Sequence, residues 1–183
     1  LLQLDDMPLL PDHLKITDIP KMENAEVADL MARFEPLVKH FNRYLTIGGF
    51  PELALSDDDL YAQRMLREDV VDKVIKRDVL TLFKVRSPLL MEKLFLYLCM
   101  NSTEIFSATT AAKELDNISP NTIESYVDAL VKSNLIYMAY PIAVGSKSVL
   151  KGRPKIYIAD AAIRNAVLMV DDCLLYTSPS PRD

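Results

Sequence analysis

The sequence reads as a mainly α chain with a small β component (α+β), and three observations lead there. Between Asn24 and Phe83, apolar residues recur three and four apart, the spacing of amphipathic helices. Two Ser-Pro pairs, Ser87-Pro88 and Ser119-Pro120, mark further helix starts, with serine as N-cap and proline in the first turn. Two β-rich runs follow, Leu135 to Ala143 and Lys155 to Ala159. Three helices followed by a two-stranded hairpin is the winged helix-turn-helix pattern.

Taken in order, residues 1–23 are a Leu/Asp/Pro-rich lead-in with no helix or strand signal, and the chain opens on Leu1 rather than Met. From Asn24 to Leu45 a helix is predicted. Its stripe is Val27, Leu30, Met31, Phe34, Leu37, Val38, Phe41 and Leu45, and Pro36 predicts a kink or a break into two helices. Gly48-Gly49 ends it by supplying positive-φ positions, and Pro51 opposes its resumption. Ser56 is then expected to cap a second helix reaching about Phe83, with Asp57, Asp58 and Asp59 in its first turn. Leu66, Val70, Val74, Val79 and Phe83 are its expected buried face. Arg64, Arg67, Glu68, Asp72, Lys73 and Lys76 form a solvated, ion-paired face.

The next helix runs from Pro88 to about Asn101. Ser107 caps a short one, Ala108 to Leu115, and Asp116-Asn117-Ile118 makes the turn. The third helix ends near Asn134 and sets Ile123, Tyr126, Val127, Leu130 and Val131 on one face. The wing spans Gly145 to Pro154, and Asp160 to Val170 reads as another helix start. The terminal stretch, Cys173 to Asp183, looks like an in-frame translation of a sequencing adapter and is set apart from the fold. Both ends are therefore expected to be cut.

Composition narrows the function classes. Half the residues are hydrophobic, a quarter are charged, and the net charge is −5. No global positive field draws such a chain onto DNA or anionic lipid, so nucleic-acid binding needs a local patch. The two cysteines, Cys99 and Cys173, and the two histidines, His13 and His40, have no metal-ligand spacing. Cys99 lies in an apolar run and reads as a small buried hydrophobe of a reducing, cytoplasmic setting. No apolar run is long enough for a membrane span. There is no GxxxxGK[ST] loop, no HExxH and no strand ending in paired acids. The segment alone is not expected to catalyse a reaction, and no catalytic or metal-binding residue is assigned.

For recognition, the third helix offers Asn121, Thr122, Glu124, Ser125, Asp128 and Lys132, and the wing offers Lys147, Lys151 and Arg153. These are the candidates for duplex DNA, the helix toward base edges and the wing toward phosphate. The helix has no arginine to fork onto guanine, and its two carboxylates would face phosphate. A protein-interaction role weighs equally, since winged helices host several functions. Arg77, beside Asp78, reads as an exposed ion pair or as a residue aimed at a nucleotide phosphate of a neighbouring domain or subunit.

Several spaced strings resemble one family. They are Phe41-Asn42-Arg43-Tyr44-Leu45 running into Gly48-Gly49-Phe50-Pro51-Glu52, then Lys76-Arg77-Asp78-Val79, Pro120-Asn121-Thr122-Ile123, and Pro154-Lys155-Ile156-Tyr157-Ile158-Ala159-Asp160. Their order is similar to that of bacterial and archaeal AAA-superfamily ATP-binding proteins with a C-terminal domain of unknown function. The resemblance implies an ATP- and magnesium-binding P-loop domain ahead of this chain and none within it. It implies a helical lid and linker over 24–86, a winged helix over 87–154, and the first strand and helix of a truncated nuclease-like α/β domain over 155–172. Arg77 then becomes a nucleotide-sensing candidate, and Gly48, Gly49, Phe50, Pro51, Glu52, Arg77, Asp78, Lys155, Tyr157 and Asp160 are family-motif positions. On this reading the chain couples or recognises, binding duplex DNA, a protein partner or its own copies through the parent ATPase, with no membrane partner. The other readings are a free-standing winged-helix transcriptional regulator and a pure protein-interaction module.

Overall fold

A computed structural model describes residues 14–83, 85–141 and 152–168. The described residues are mainly helical, with one small antiparallel sheet. A 3-10 turn, Ile16–Lys21, precedes helix α1, Asn24–Ile47. The carboxylate of Glu26 accepts from the backbone N–H of Glu23 at 3.0 Å and closes the first turn. Pro36 neither breaks nor ends α1, which is assigned as one helix through it. Gly48, at φ 78°, stops it. Pro51 does not keep the chain extended. It is the first residue of a short helix α2, Pro51–Ala54, a position where its missing N–H costs nothing.

The second long helix begins at α3, Asp59–Met65, and its cap is Asp58 rather than Ser56. The Asp58 carboxylate accepts from the Tyr61 N–H at 2.9 Å, while the Ser56 hydroxyl accepts from the Asp58 N–H at 3.2 Å in the preceding turn. The helix then widens into two π-helical segments, Leu66–Asp72 and Val74–Val79, before closing as α4, Leu80–Leu82. This widening shifts the buried face. Ala62, Leu66, Val71, Ile75 and Val79 are buried, whereas Val74 is only half-buried; the side chain of Val70 lies outside the described ones. The step from Leu66 to Val71 is five residues instead of four, as i→i+5 hydrogen bonding requires. The charged face is as expected, with Lys73 paired to Asp69 and Lys76 to Asp72 at 3.2 Å.

Helices α5 (Pro88–Met100), α6 (Ala108–Glu114) and α7 (Pro120–Lys132) follow. Ser87 and Ser107 cap α5 and α6 through their hydroxyls, at 3.3 and 3.4 Å. Ser119 gives α7 no such side-chain bond. Asp116 (φ 63°) and Asn117 (φ 56°) make the turn between α6 and α7 left-handed, and Asn134 (φ 56°) ends α7 the same way. Strand β1, Ile136–Ala139, pairs antiparallel with β2, Lys155–Ile158, in the register Ile136 to Ile158 and Ala139 to Lys155. On its other side β2 meets the loop after α5, where the Thr103 N–H donates to the Ile156 carbonyl at 2.7 Å and Ile105 bridges Lys155. Helix α8, Ala161–Leu168, completes the described chain.

Residues 155–158, expected to open a further α/β unit, pair with β1 and, through Lys155, bridge Ile105. One cluster joins Leu66 and Val79 to Phe95 and Leu98 of α5, Ile123 and Leu130 of α7, both strands, and Ala162 and Ile163 of α8. Phe95 is 1% exposed at its centre, and truncating such a ring to alanine costs about 3–5 kcal/mol. Cys99 is fully buried there, and burial pushes its thiol up to about 12. Residues 169–172 and the 173–183 segment lie outside the described residues.

Candidate functional site

Two motif strings more than a hundred residues apart meet at the start of α8. One Asp160 carboxylate oxygen accepts from the Ala162 N–H at 2.8 Å, capping the helix. The other accepts from the Gly49 N–H at 3.2 Å. The contact explains the glycine at 48. A Cβ there would stand 3.1 Å from the Ala162 Cβ and 3.1 and 3.2 Å from the two Asp160 oxygens. Its φ of 78° with ψ of −174° is a region that side-chain-bearing residues avoid. One turn further on, Asn165 is buried and its amide donates to the Leu45 carbonyl at 3.0 Å, satisfying the end of α1. Asp160 is therefore held by backbone donors as a strut between the Gly48-Gly49 loop and α8. Phe50 packs against the core, while Pro51 and Glu52 are exposed.

Arg43, from the same motif, ties α1 to α2, α3 and the turn between them. Its guanidinium donates to the carbonyl of Ala54 at 2.8 Å, to the carbonyl of Ser56, and to the Asp59 carboxylate at 3.3 Å. Arg77, in the second π-helical segment, is exposed and makes no ion pair with another described side chain. The side chain of Asp78 lies outside the described ones. Lys155 is exposed on β2, as is Tyr157. The Lys93 ammonium, 2.8 Å away, holds the Asp116 carboxyl below its usual range and links α5 to the turn before α7.

A second site is a groove of about 760 Å³ between the start of α6, one face of α7 and β1. Its apolar floor includes Phe106, Val127, Val131 and Met138. Tyr137 and Tyr140 rise from the β1 side, 53% and 58% exposed. The α7 wall carries the carboxylates Glu124 and Asp128, and Arg153 stands at the far edge. Of the DNA candidates, Asn121, Ser125 and Lys132 are exposed on α7 and Thr122 is half-buried. Lys132 is not a free cation, since its ammonium sits 2.6 Å from the Asp128 carboxylate. Lys147 and Lys151 lie outside the described residues. The tyrosines were not selected from the sequence. Strand alternation does not single them out, because Tyr137 and Tyr140 lie three residues apart and Tyr140 falls beyond the end of β1.

Among the described residues no three His, Cys, Asp or Glu side chains gather where they could hold a metal ion. No described helix is long and apolar enough to cross a membrane. A family model described as a domain of unknown function, DUF8612, matches residues 38–173. The chain is 25% identical over 158 residues to the uncharacterized protein MJ1544 of Methanocaldococcus jannaschii. That match takes in 83% of this chain and 35% of the relative, so the chain spans about a third of the length of the curated relative it matches. No solved structure matches.

Proposed function

The chain belongs to the DUF8612 family, and from that premise we propose that it is a winged-helix recognition module whose α7–β1 groove takes a segment of a protein partner. The groove itself carries the reading. It sets two carboxylates, Glu124 and Asp128, beside two exposed tyrosines over an apolar floor. Exposed aromatic rings over an apolar floor are what a peptide side chain is anchored by. Of the two, Glu124 would repel phosphate from the helix face that a duplex would have to approach, Asp128 being paired with Lys132. With Lys132 held by Asp128, that face has no described free cation of its own.

The larger setting we propose is a cytoplasmic ATP-binding protein of the AAA type. The quoted motif strings support it, and the match leaves most of the archaeal relative outside it, ample length for a nucleotide-binding domain. ATP and magnesium would belong to that other part. Arg77 is exposed and unpaired among the described side chains, which supports a role in sensing a nucleotide phosphate supplied by that other part. Arg77→Ala in the complete polypeptide then lowers ATP turnover with unchanged thermal stability, and unchanged turnover removes the role.

The groove reading is tested by an array of lysine- and arginine-bearing peptides that also carry an aromatic residue. Binding should occur and should be lost in Tyr137→Ala and Asp128→Arg. Duplex DNA binding at low salt, steeply salt-dependent and lost in Arg153→Glu, would instead establish the DNA reading. That second reading rests on Arg153 at the groove edge.

A further inference from the structure

The small sheet has one closed edge and one open edge. In its register Ile136 faces Ile158 and Ala139 faces Lys155, and the Ala159 N–H donates to the Leu135 carbonyl at 3.0 Å. Antiparallel pairs that exchange such bonds alternate with pairs that do not. Tyr137 and Ala139 therefore bond to β2, while the N–H and C=O of Met138 point away from it. Strand β2 shows the same parity on its far side. There the Ile156 carbonyl accepts from Thr103 at 2.7 Å, the Ile156 N–H donates to Glu104 at 3.3 Å, and the Pro154 carbonyl accepts from Phe106 at 2.8 Å. The loop after α5 thus closes the β2 edge. Among the described residues nothing closes the β1 edge, and the N–H groups of Met138 and Tyr140 have no hydrogen-bond partner. Ile136 is fully buried, so the open part of the edge begins at Met138.

Folded proteins usually blunt such an edge with lysine, proline or an inward-pointing charge, which keeps other chains from pairing with it. Leu135 to Tyr140 carries neither a charge nor a proline. The same stretch walls the α7–β1 groove, which Tyr137, Met138 and Tyr140 line. The unpaired backbone groups decide what fits there. A helix spends its N–H and C=O groups on its own ladder and leaves those of Met138 unmet. An extended chain meets them, lying about 4.8 Å from β1 on its open side. Its alternate side chains then face the apolar floor of Phe106, Val127 and Val131. Glu124, exposed on the α7 wall and without an ion pair among the described residues, offers a place for one basic side chain.

We propose that the groove is filled by β-strand addition, an extended segment of a partner protein pairing with the β1 edge from Met138 to Tyr140. The segment has apolar residues at alternate positions and a basic residue between them. Resting on the groove as a protein-recognition site, strand addition supplies main-chain bonds for affinity and alternate side-chain seats for selection.

The probe is an eight-residue peptide in which valine alternates with lysine and tyrosine, titrated into the whole chain. Single N-methyl analogues of it each remove one backbone donor. Binding weakens about tenfold or more at every second position and little at those between. At saturating peptide the Met138 amide exchanges with deuterium at least tenfold more slowly, while the amides of Tyr137 and Ala139, already bonded to β2, change little. Met138→Pro removes the outward N–H without taking a bond from β2, and peptide binding is lost. Should that variant unfold, the N-methyl series on the wild-type chain still decides. A peptide that binds with no two-residue period in the series overturns strand addition and leaves the groove as a protein site. Failure of this peptide and of every peptide in the array removes both. A Met138 amide already protected in a concentration-dependent dimer of the free chain gives the edge to a second copy and also overturns the proposal.

Discussion

Replacing Gly48 by alanine probes the junction between α1 and α8 more sharply than any other single change. Two costs add. The backbone there, φ 78° and ψ −174°, lies in a region that is essentially glycine's own, and holding a side-chain-bearing residue in it costs about 1–3 kcal/mol. The new methyl would also stand 3.1 Å from the Ala162 Cβ and as close to the Asp160 carboxylate. Ala162 is fully buried on α8 and cannot yield without moving the helix, and such overpacking costs about 1–3 kcal/mol. A loss of about 3 kcal/mol is expected, or roughly 6–12 °C in melting temperature for a chain of this size. Gly49→Ala is the internal control. Its Cβ would meet only the edge of the Tyr44 ring at 3.4 Å and Asp160 at 4.0 Å, with no positive φ to strain. It should stay within about 0.5 kcal/mol of the wild type. The assay is urea unfolding of both variants, followed by dichroism and by near-ultraviolet absorbance. A Gly48→Ala loss below about 0.5 kcal/mol, or an equal loss at Gly49, would refute the reasoning.

Three further predictions rest on the same geometry. Val71→Ala should cost about 1–3 kcal/mol and clearly more than Val74→Ala, because the π-helical widening puts Val71 in the core; equal losses in chemical unfolding would argue against the five-residue step. Arg43→Lys should cost about 1–2 kcal/mol, since an ammonium cannot reproduce a fork that reaches two carbonyls and a carboxylate, and a neutral result in thermal melts would contradict it. Cys99, with its thiol pushed up to about 12 by burial, binds a proton in the folded state that the unfolded state releases above about pH 8.5. Stability should therefore fall as pH rises from about 8.5, by up to about 1.4 kcal/mol per unit, and less so in Cys99→Ala; urea midpoints at pH 8 and pH 10 measure it.

The sequence pattern carried the helices that a local signal punctuates. Ser87-Pro88, Ser107 and the Asp116-Asn117 turn fall where capping and left-handed turn chemistry place them. The single face of α7 is legible because five apolar residues keep strict helical spacing, and all but Val131 are fully buried. The second long helix is different. Its caps compete, since Ser56 and Asp58 are both good N-caps, and only the geometry of the Arg43-bound turn decides for Asp58. Its buried face depends on a change of helical pitch, which leaves no mark in hydrophobic spacing until the core selects Val71 and Ile75.

The site was legible only in part. Gly48, Gly49 and Asp160 stood out as motif residues, but their contact spans a separation no periodicity reaches. Asp160 could be read from sequence as a lone strand-end acid. Its two backbone donors make it a strut. The groove tyrosines were hidden for another reason. A short strand such as Ile136–Ala139 offers too few residues for alternation to distinguish a binding wall from an ordinary solvent face.

One measurement bears most directly on the groove as a protein-recognition surface. The isotopically labelled chain is titrated in parallel with mixed-sequence duplex DNA and with a lysine-rich, tyrosine-bearing peptide, and backbone amide shifts are followed. The account predicts that peptide moves the amides of Val127, Val131, Tyr137 and Tyr140 along the groove, while DNA at low salt moves none of them. Salt-sensitive shifts caused by DNA at Asn121, Thr122, Ser125 and Arg153, with the peptide inert, would contradict it.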